Sequence, residues 1–189
     1  MSLLVSALQI YTPEYVRKRA LAELFNFTAA AFEAQTPAIA GLDSRACLAE
    51  YARFTQSLAE RRLHDRDDIE GVEQRLYRNA VEMGRLHGRL LRLNSVKDVM
   101  AIGRVLYRIL GIDFHGDARG AVVIDRCYFS RFYSPDVCRL MSAMDRGLFA
   151  GLSNGGELTF TSRITEGQPS CRAHFSWEQR AADRRVAGT

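Results

Sequence analysis

The sequence predicts an α+β fold, in which about four N-terminal helices are followed by a strand, a further helix and a hairpin that form a small antiparallel sheet. Three observations carry this prediction. Between residues 13 and 111 apolar residues recur every three or four positions, the period of a helix. From Ala121 onward an alternation of period two takes over. Between the alternating stretches lies SPDVCRLMSAMDRGLFAGL, whose capping serine, proline at the first position and acid in the first turn make a complete helix start. The expected organisation is one domain over 1–177, with a helical half (13–111), a sheet-bearing half (113–177) and a flexible tail (178–189).

The 189-residue chain is 47% hydrophobic and 25% charged, ordinary for a globular protein and long enough to bury a core. No apolar run approaches the roughly 20 residues of a membrane span. The opening MSLLVSALQIY lacks the basic start and cleavage site of a signal peptide. A cytoplasmic protein is expected. The net charge is +4, the basic residues are arginines except for Lys18 and Lys97, and acids are interspersed among them. That pattern is not a polybasic patch, so neither nucleic acid nor membrane is an expected partner. The expected partner is a small-molecule substrate or ligand, and a homodimer is left open. Four cysteines with no CxxC pair exclude a zinc ribbon and a thioredoxin-type motif. In a reducing compartment they are thiols.

Helix by helix, Thr12 and Pro13 should start the first, which runs to Ala34 with Val16, Ala20, Leu24, Phe27 and Ala31 on one face. Asp43 or Ser44 should cap the second, which ends near Leu63 and buries Leu48, Tyr51, Leu58 and either Phe54 or Thr55. Cys47 reads as a small buried hydrophobe. After the linker RLHDRDD, Asp67 or Asp68 should open a third helix to about Leu93. Its arginines 75, 78, 85, 89 and 92 form a basic flank, read as a solvated face or an anion-binding one. Ser95 should cap the fourth, which ends at Gly111. The segment DFHGDARG reads as a turn and Ala121–Phe129 as a strand. The helix from Ser134 carries the core stripe Val137, Leu140, Met141, Met144 and Leu148, with Cys138, Ser142 and Asp145 on a line beside it. After the turn SNGGE come strands at Glu157–Thr165 and Cys171–Trp177. Their polar faces should carry Thr161, Arg163 and Thr165 on one and Arg172 and His174 on the other, with the Arg163 side chain expected to point into a pocket beneath the N-terminal helices.

Cys127, Cys138 and Cys171 arise from a strand, a helix start and a hairpin that the topology should bring together. Three readings stay open: buried core thiols; ligands of a divalent metal such as zinc, with Asp125, Asp145 or His174 as a fourth; or a nucleophile. Cys138 is the best nucleophile, since the helix N-terminus should favour its thiolate. Cys127 and Asp145 are the remaining catalytic candidates. Arg163, Arg126, His174 and Thr161 are candidates to hold a substrate, the guanidinium fork being matched to a carboxylate.

From the strand holding Cys127 through SPDVCRLMSAMDRGLFAGL, RITEG and SCRA, the chain resembles the C-terminal half of the L-2-amino-thiazoline-4-carboxylic acid hydrolase family. It resembles 4-vinyl-reductase-type small-ligand-binding domains more distantly. The first resemblance implies hydrolytic opening of a C–N bond in a small carboxylate-bearing ring. The second implies a non-catalytic ligand-binding or sensory module, sometimes with a cysteine-held zinc. Gly167 and Cys171 resemble the Gly-x3-Cys of that zinc-bearing version, but Arg163 stands where it would have a further cysteine. A hydrolase is therefore the leading expectation, and the binding module is the alternative.

Overall fold

One helix, Pro135–Ser153, is buried through two unbroken runs, Leu140–Met144 and Gly147–Ser153, rather than along a single stripe. The computed structural model describes residues 11–178, and this helix is α5 in it. Before it come α1 (Glu14–Phe32), α2 (Ser44–Asp65), α3 (Ile69–Leu91), α4 (Val96–Ile109), β1 (Asp113–Gly116) and β2 (Ala121–Arg126). After it come β3 (Glu157–Ser162) and β4 (Cys171–Ser176). Short 3-10 turns at Tyr128–Arg131 and Ile164–Glu166 complete the chain order. The expectations for the first ten residues and for the tail beyond Glu178 lie outside the described residues.

α5 starts as its sequence predicts: Ser134 Oγ accepts from the Val137 amide at 3.3 Å and Pro135 occupies the first turn. It ends at Asn154, which adopts the left-handed conformation before Gly155. Its closest neighbour is α3, and the reason is a pair of glycine couples. A Cβ on Gly84 would lie 2.4 Å from the Leu148 carbonyl oxygen, and one on Gly88 would lie 2.6 Å from that of Leu152. In return, a Cβ on Gly147 would lie 2.2 Å from the Tyr77 oxygen, and one on Gly151 would lie 2.2 Å from that of Val81. The backbones thus touch where any side chain would hold them apart. On the far side of α5, Phe149 meets Tyr107 of α4, Phe114 of β1 and Phe175 of β4 with ring centroids 6.2, 5.9 and 5.4 Å away. These aromatic contacts fasten the sheet to the helix.

The sheet has the order β1-β2-β4-β3 and is antiparallel throughout. β4 pairs with β2 (Val122 opposite Ala173, Ile124 opposite Cys171) and with β3 (Leu158 opposite Phe175). Val122, Ile124, Leu158, Cys171, Ala173 and Phe175 are the buried members of the sheet's β2, β3 and β4. Among the described residues no helix is long and apolar enough to cross a membrane.

Several boundaries differ from expectation. Pro13, not Thr12, precedes α1, and among the described residues no side chain caps that helix; Thr12 is buried instead. The C-terminus of α1 is capped from outside, by Arg75 Nε on the Ala31 oxygen at 2.7 Å and Arg62 on the Phe32 oxygen at 3.3 Å. Arg75 therefore leaves the basic flank for a structural post. Asp43 caps α2 by accepting from the Ala46 amide at 2.7 Å, and α2 absorbs much of the expected linker. Asp68 sits in the left-handed region and pairs with Arg75 at 2.8 Å rather than capping α3. Ser95 caps α4 as expected. The DFHGDARG segment is not simply a turn: Asp113–Gly116 is an edge strand, too short to show a period. β2 ends at Arg126 and β3 at Ser162, each giving way to a 3-10 turn. The register shift between Phe160 and Ser162 breaks the alternation ahead of Arg163.

The glycine contact predicts a contrast. Gly151→Ala should lower stability by roughly 1–3 kcal/mol, because the added methyl meets backbone that cannot yield. Gly71→Ala, where only the Asp68 side chain must move, should be neutral or stabilising by up to about 1 kcal/mol from helix propensity. Urea unfolding of both variants checks this, and equal effects would remove the close-contact explanation.

Candidate functional site

The polar line on α5 is where the candidate site begins. Cys138, Ser142 and Asp145 descend one side of an otherwise apolar helix. Ser142 Oγ donates to the Cys138 carbonyl at 2.7 Å, so the hydroxyl is spent within the helix. Asp145 has no such local outlet. Tyr107 of α4 donates to its Oδ1 at 2.5 Å, a pairing across 38 positions of sequence. Burial raises the Asp145 pKa from 3.8 to about 6, against the opposing effects of the Tyr107 hydrogen bond and the Arg163 and Arg146 guanidiniums. Arg146 itself is engaged by Glu73. The Tyr107 hydroxyl is pushed up in turn, first by burial and then by Asp145.

The three sequence-predicted thiols lie within electrostatic reach of this carboxyl. Cys127 follows β2 and is approached by the Phe129 and Ser130 amides, yet burial raises its pKa to about 12. Cys171 opens β4, buried, with its sulfur accepting from the Ile164 amide at 3.3 Å. Cys138 faces the Thr165 hydroxyl and Arg163. Burial raises the pKa of Cys171 and of Cys138 as well, and Asp145 adds to the rise in all three. The lowered pKa expected of Cys138 at the helix N-terminus is not what its surroundings give: burial is the largest influence and raises it, and Asp145 raises it further. The expected metal centre is not assembled either. Among the described residues no group of three His, Cys, Asp or Glu side chains is placed to hold a metal ion, so Cys127, Cys138 and Cys171 share an electrostatic neighbourhood but not a coordination sphere. Cys47, 1% exposed, is the buried hydrophobe expected of it.

Arg163 turns inward, as expected of its side chain, although it does not line the cleft described below. Past the register shift its side chain is only 17% exposed, lies over the Phe160 ring at 4.9 Å and reaches Glu166 at 3.9 Å. His174 and Thr161 do not join it. His174 lies on the exposed face of β4 opposite Ala121 and Thr159, and exposed Thr161 donates to the Arg172 carbonyl. The alternation that predicted those two as polar is correct, but their face is the solvent face of the sheet.

Beside the thiols opens a cleft of about 510 Å³. Its walls include Arg108 of α4, Arg126 at the end of β2, Tyr128 and Arg131 of the 3-10 turn, and Ile164 from the β3–β4 connection, with Cys127 between them. Asp113 and Asp125 also line it, and Asp113 holds both Arg126 at 3.3 Å and His115 at 3.1 Å. Arg126 is therefore at the mouth, largely exposed, rather than beside Asp145. Tyr107, Arg108 and Arg131 are site residues that no sequence motif marks. Tyr107 is at helical spacing with apolar neighbours, and no local signal distinguishes its hydroxyl.

Two outcomes follow from these environments. Asp145 binds a proton more tightly folded than unfolded, so its contribution to stability is greatest below about pH 4 and is lost as the pH rises to about 6. Asp145→Asn should flatten that part of the stability curve and leave the variant on the order of 2–3 kcal/mol more stable than the parent at pH 7. Denaturation at pH 4 and pH 7 measures it. Cys127 should react with iodoacetamide at pH 8 roughly 50-fold more slowly than an unperturbed thiol, the scarcity of thiolate being partly offset by its greater basicity, as judged by peptide mass spectrometry.

No protein-family model matches this chain, and no curated protein matches it. The site therefore stands on its own geometry and on the motif residues named above.

Proposed function

We propose that the protein is a hydrolase that opens a cyclic C–N bond in a small carboxylate-bearing compound, with Asp145 as the proton-handling residue. One observation carries this reading: a buried carboxyl with its pKa raised to about 6, hydrogen-bonded to Tyr107 and within electrostatic reach of three thiols, one of which, Cys127, lines an arginine-bearing cleft. A base of that pKa is ionised at neutral pH yet strong enough to take a proton from water. In the step proposed, water oxygen bonds to the ring carbon and its proton passes to Asp145. That proton goes on to the ring nitrogen, and as the C–N bond breaks the hydroxyl proton of the tetrahedral carbon follows it through Asp145, leaving a carbonyl and a free amine, so one water is consumed and Asp145 returns to its starting state. The thiols remain protonated, and Cys138 serves as a wall of the site rather than as a standing thiolate. The resemblance to the thiazoline-carboxylate hydrolases supports the same substrate class.

The alternative, a non-catalytic small-molecule-binding module of the 4-vinyl-reductase type, draws support from the cleft and from the unreactive state of its thiols. Turnover separates the two. With 2-amino-thiazoline-4-carboxylate as substrate, kcat/KM should rise through a pKa near 6, and Asp145→Asn should lower kcat by about 100-fold or more in a folded protein. Cys138→Ala should retain most activity. Binding of the compound without turnover would favour the sensory module, and full activity in Asp145→Asn would remove Asp145 from the mechanism.

A further inference from the structure

Arg163 Nε, in the β3–β4 connection, is buried without a hydrogen-bond partner among the described residues, and beside it the buried Thr165 Oγ1 has only the Cys138 thiol to interact with. A guanidinium NH or a hydroxyl withdrawn from water and left unpaired costs free energy, so such groups mark a place where something else is bound. Here both donors belong to one short 3-10 segment, Ile164–Glu166 and its leading residue Arg163, that packs on α5. The charge on Arg163 is also poorly neutralised. Its one ion-pair partner among the described residues, Glu166, is 3.9 Å away, while Arg139 holds the same Glu166 oxygen at 2.9 Å. The Phe160 ring at 4.9 Å covers the guanidinium without offering it an acceptor.

What lies opposite sets the ligand. Arg163 is within electrostatic reach of Asp145, Cys138 and Cys171, and the Thr165 hydroxyl faces the Cys138 sulfur. Ile164, between the two donors in sequence, forms part of the cleft wall and ties its amide to Cys171. The missing partner must therefore be an acceptor of two hydrogen bonds, small, and negatively charged, because it meets a largely buried cation. It must also be monoanionic, since Asp145 is close enough to repel a second charge.

We infer that Arg163 and Thr165 form the anchor for a single carboxylate group, which docks between the β3–β4 connection and α5. This deepens the hydrolase reading and rests on it for the claim that the anchored molecule is a substrate. Arg163 is then the specificity residue: its planar fork matches two carboxylate oxygens, whereas a carboxamide offers one acceptor and no charge. Anchored there, the body of the molecule extends past Cys138 toward Asp145.

The test uses acetate as the probe, at constant ionic strength made up with sodium chloride. The Nε–Hε correlation of Arg163 in ¹⁵N-labelled full-length protein, identified by its loss in Arg163→Lys, should shift saturably with acetate and not with acetamide. Backbone amides of the segment 163–166 should report acetate binding weakened about tenfold in Arg163→Lys and several-fold in Thr165→Val, both of which keep the packing of the turn. Asp145→Asn should bind acetate as tightly or more tightly, since it removes the neighbouring negative charge, while losing turnover. Acetate binding through Arg163 in a protein that turns over no ring substrate would uphold the anchor and reject the hydrolase. The absence of a saturable shift, an equal response to acetamide, or unchanged affinity in Arg163→Lys would overturn the anchor.

Discussion

The crossing on which this molecule depends is the backbone-to-backbone approach of α3 and α5. Gly84 and Gly88 on one helix and Gly147 and Gly151 on the other let the chains come together until carbonyl oxygens occupy the space of missing side chains. Dispersion attractions at that distance are individually small but numerous. The close approach also frees the remaining faces of α5 for α2, α4 and the sheet, which is why so much of that helix is buried. A four-residue glycine spacing on each helix suffices, since residues four apart share a face.

The depth of α5 accounts for the chemistry beside it. A carboxyl, three thiols and three tyrosine hydroxyls near this helix all have raised pKa values, with burial the largest cause in each. The same desolvation has opposite consequences for different groups. It brings Asp145 into the range where a proton moves readily near neutrality, and it takes the thiols out of that range. A site that reads as cysteine chemistry in sequence is, by its electrostatics, carboxylate chemistry. Tyr107 holds one oxygen of that carboxylate, and Arg163 on the facing connection moderates its charge without pairing to it.

The organisation of the fold was largely legible. Ser95, Asp43 and the Ser134–Pro135 pair announce helix starts because capping is local, needing only a side chain and an amide three residues on. The inward set Cys171, Ala173 and Phe175 on β4 follows from its period, and the pairing of β4 with β2 and β3 agrees with the expected hairpin and sheet. The glycine couples were present in the sequence too, as MGRLHG and RGLFAG, although spacing alone does not show that two such couples face each other.

Within the candidate site, sequence by itself determined that Cys127, Cys138, Cys171 and Asp145 arise from elements the topology gathers, since strand and helix periods set which side each faces. Tertiary structure decided the rest. The shift after Phe160 turned Arg163 inward, where strict alternation had placed it beside His174 and Thr161. Tyr107 met Asp145 only because α4 packs beside α5. The protonation of each group depends on how completely its neighbours exclude water, a property of the assembled core that no spacing of residues along the chain encodes.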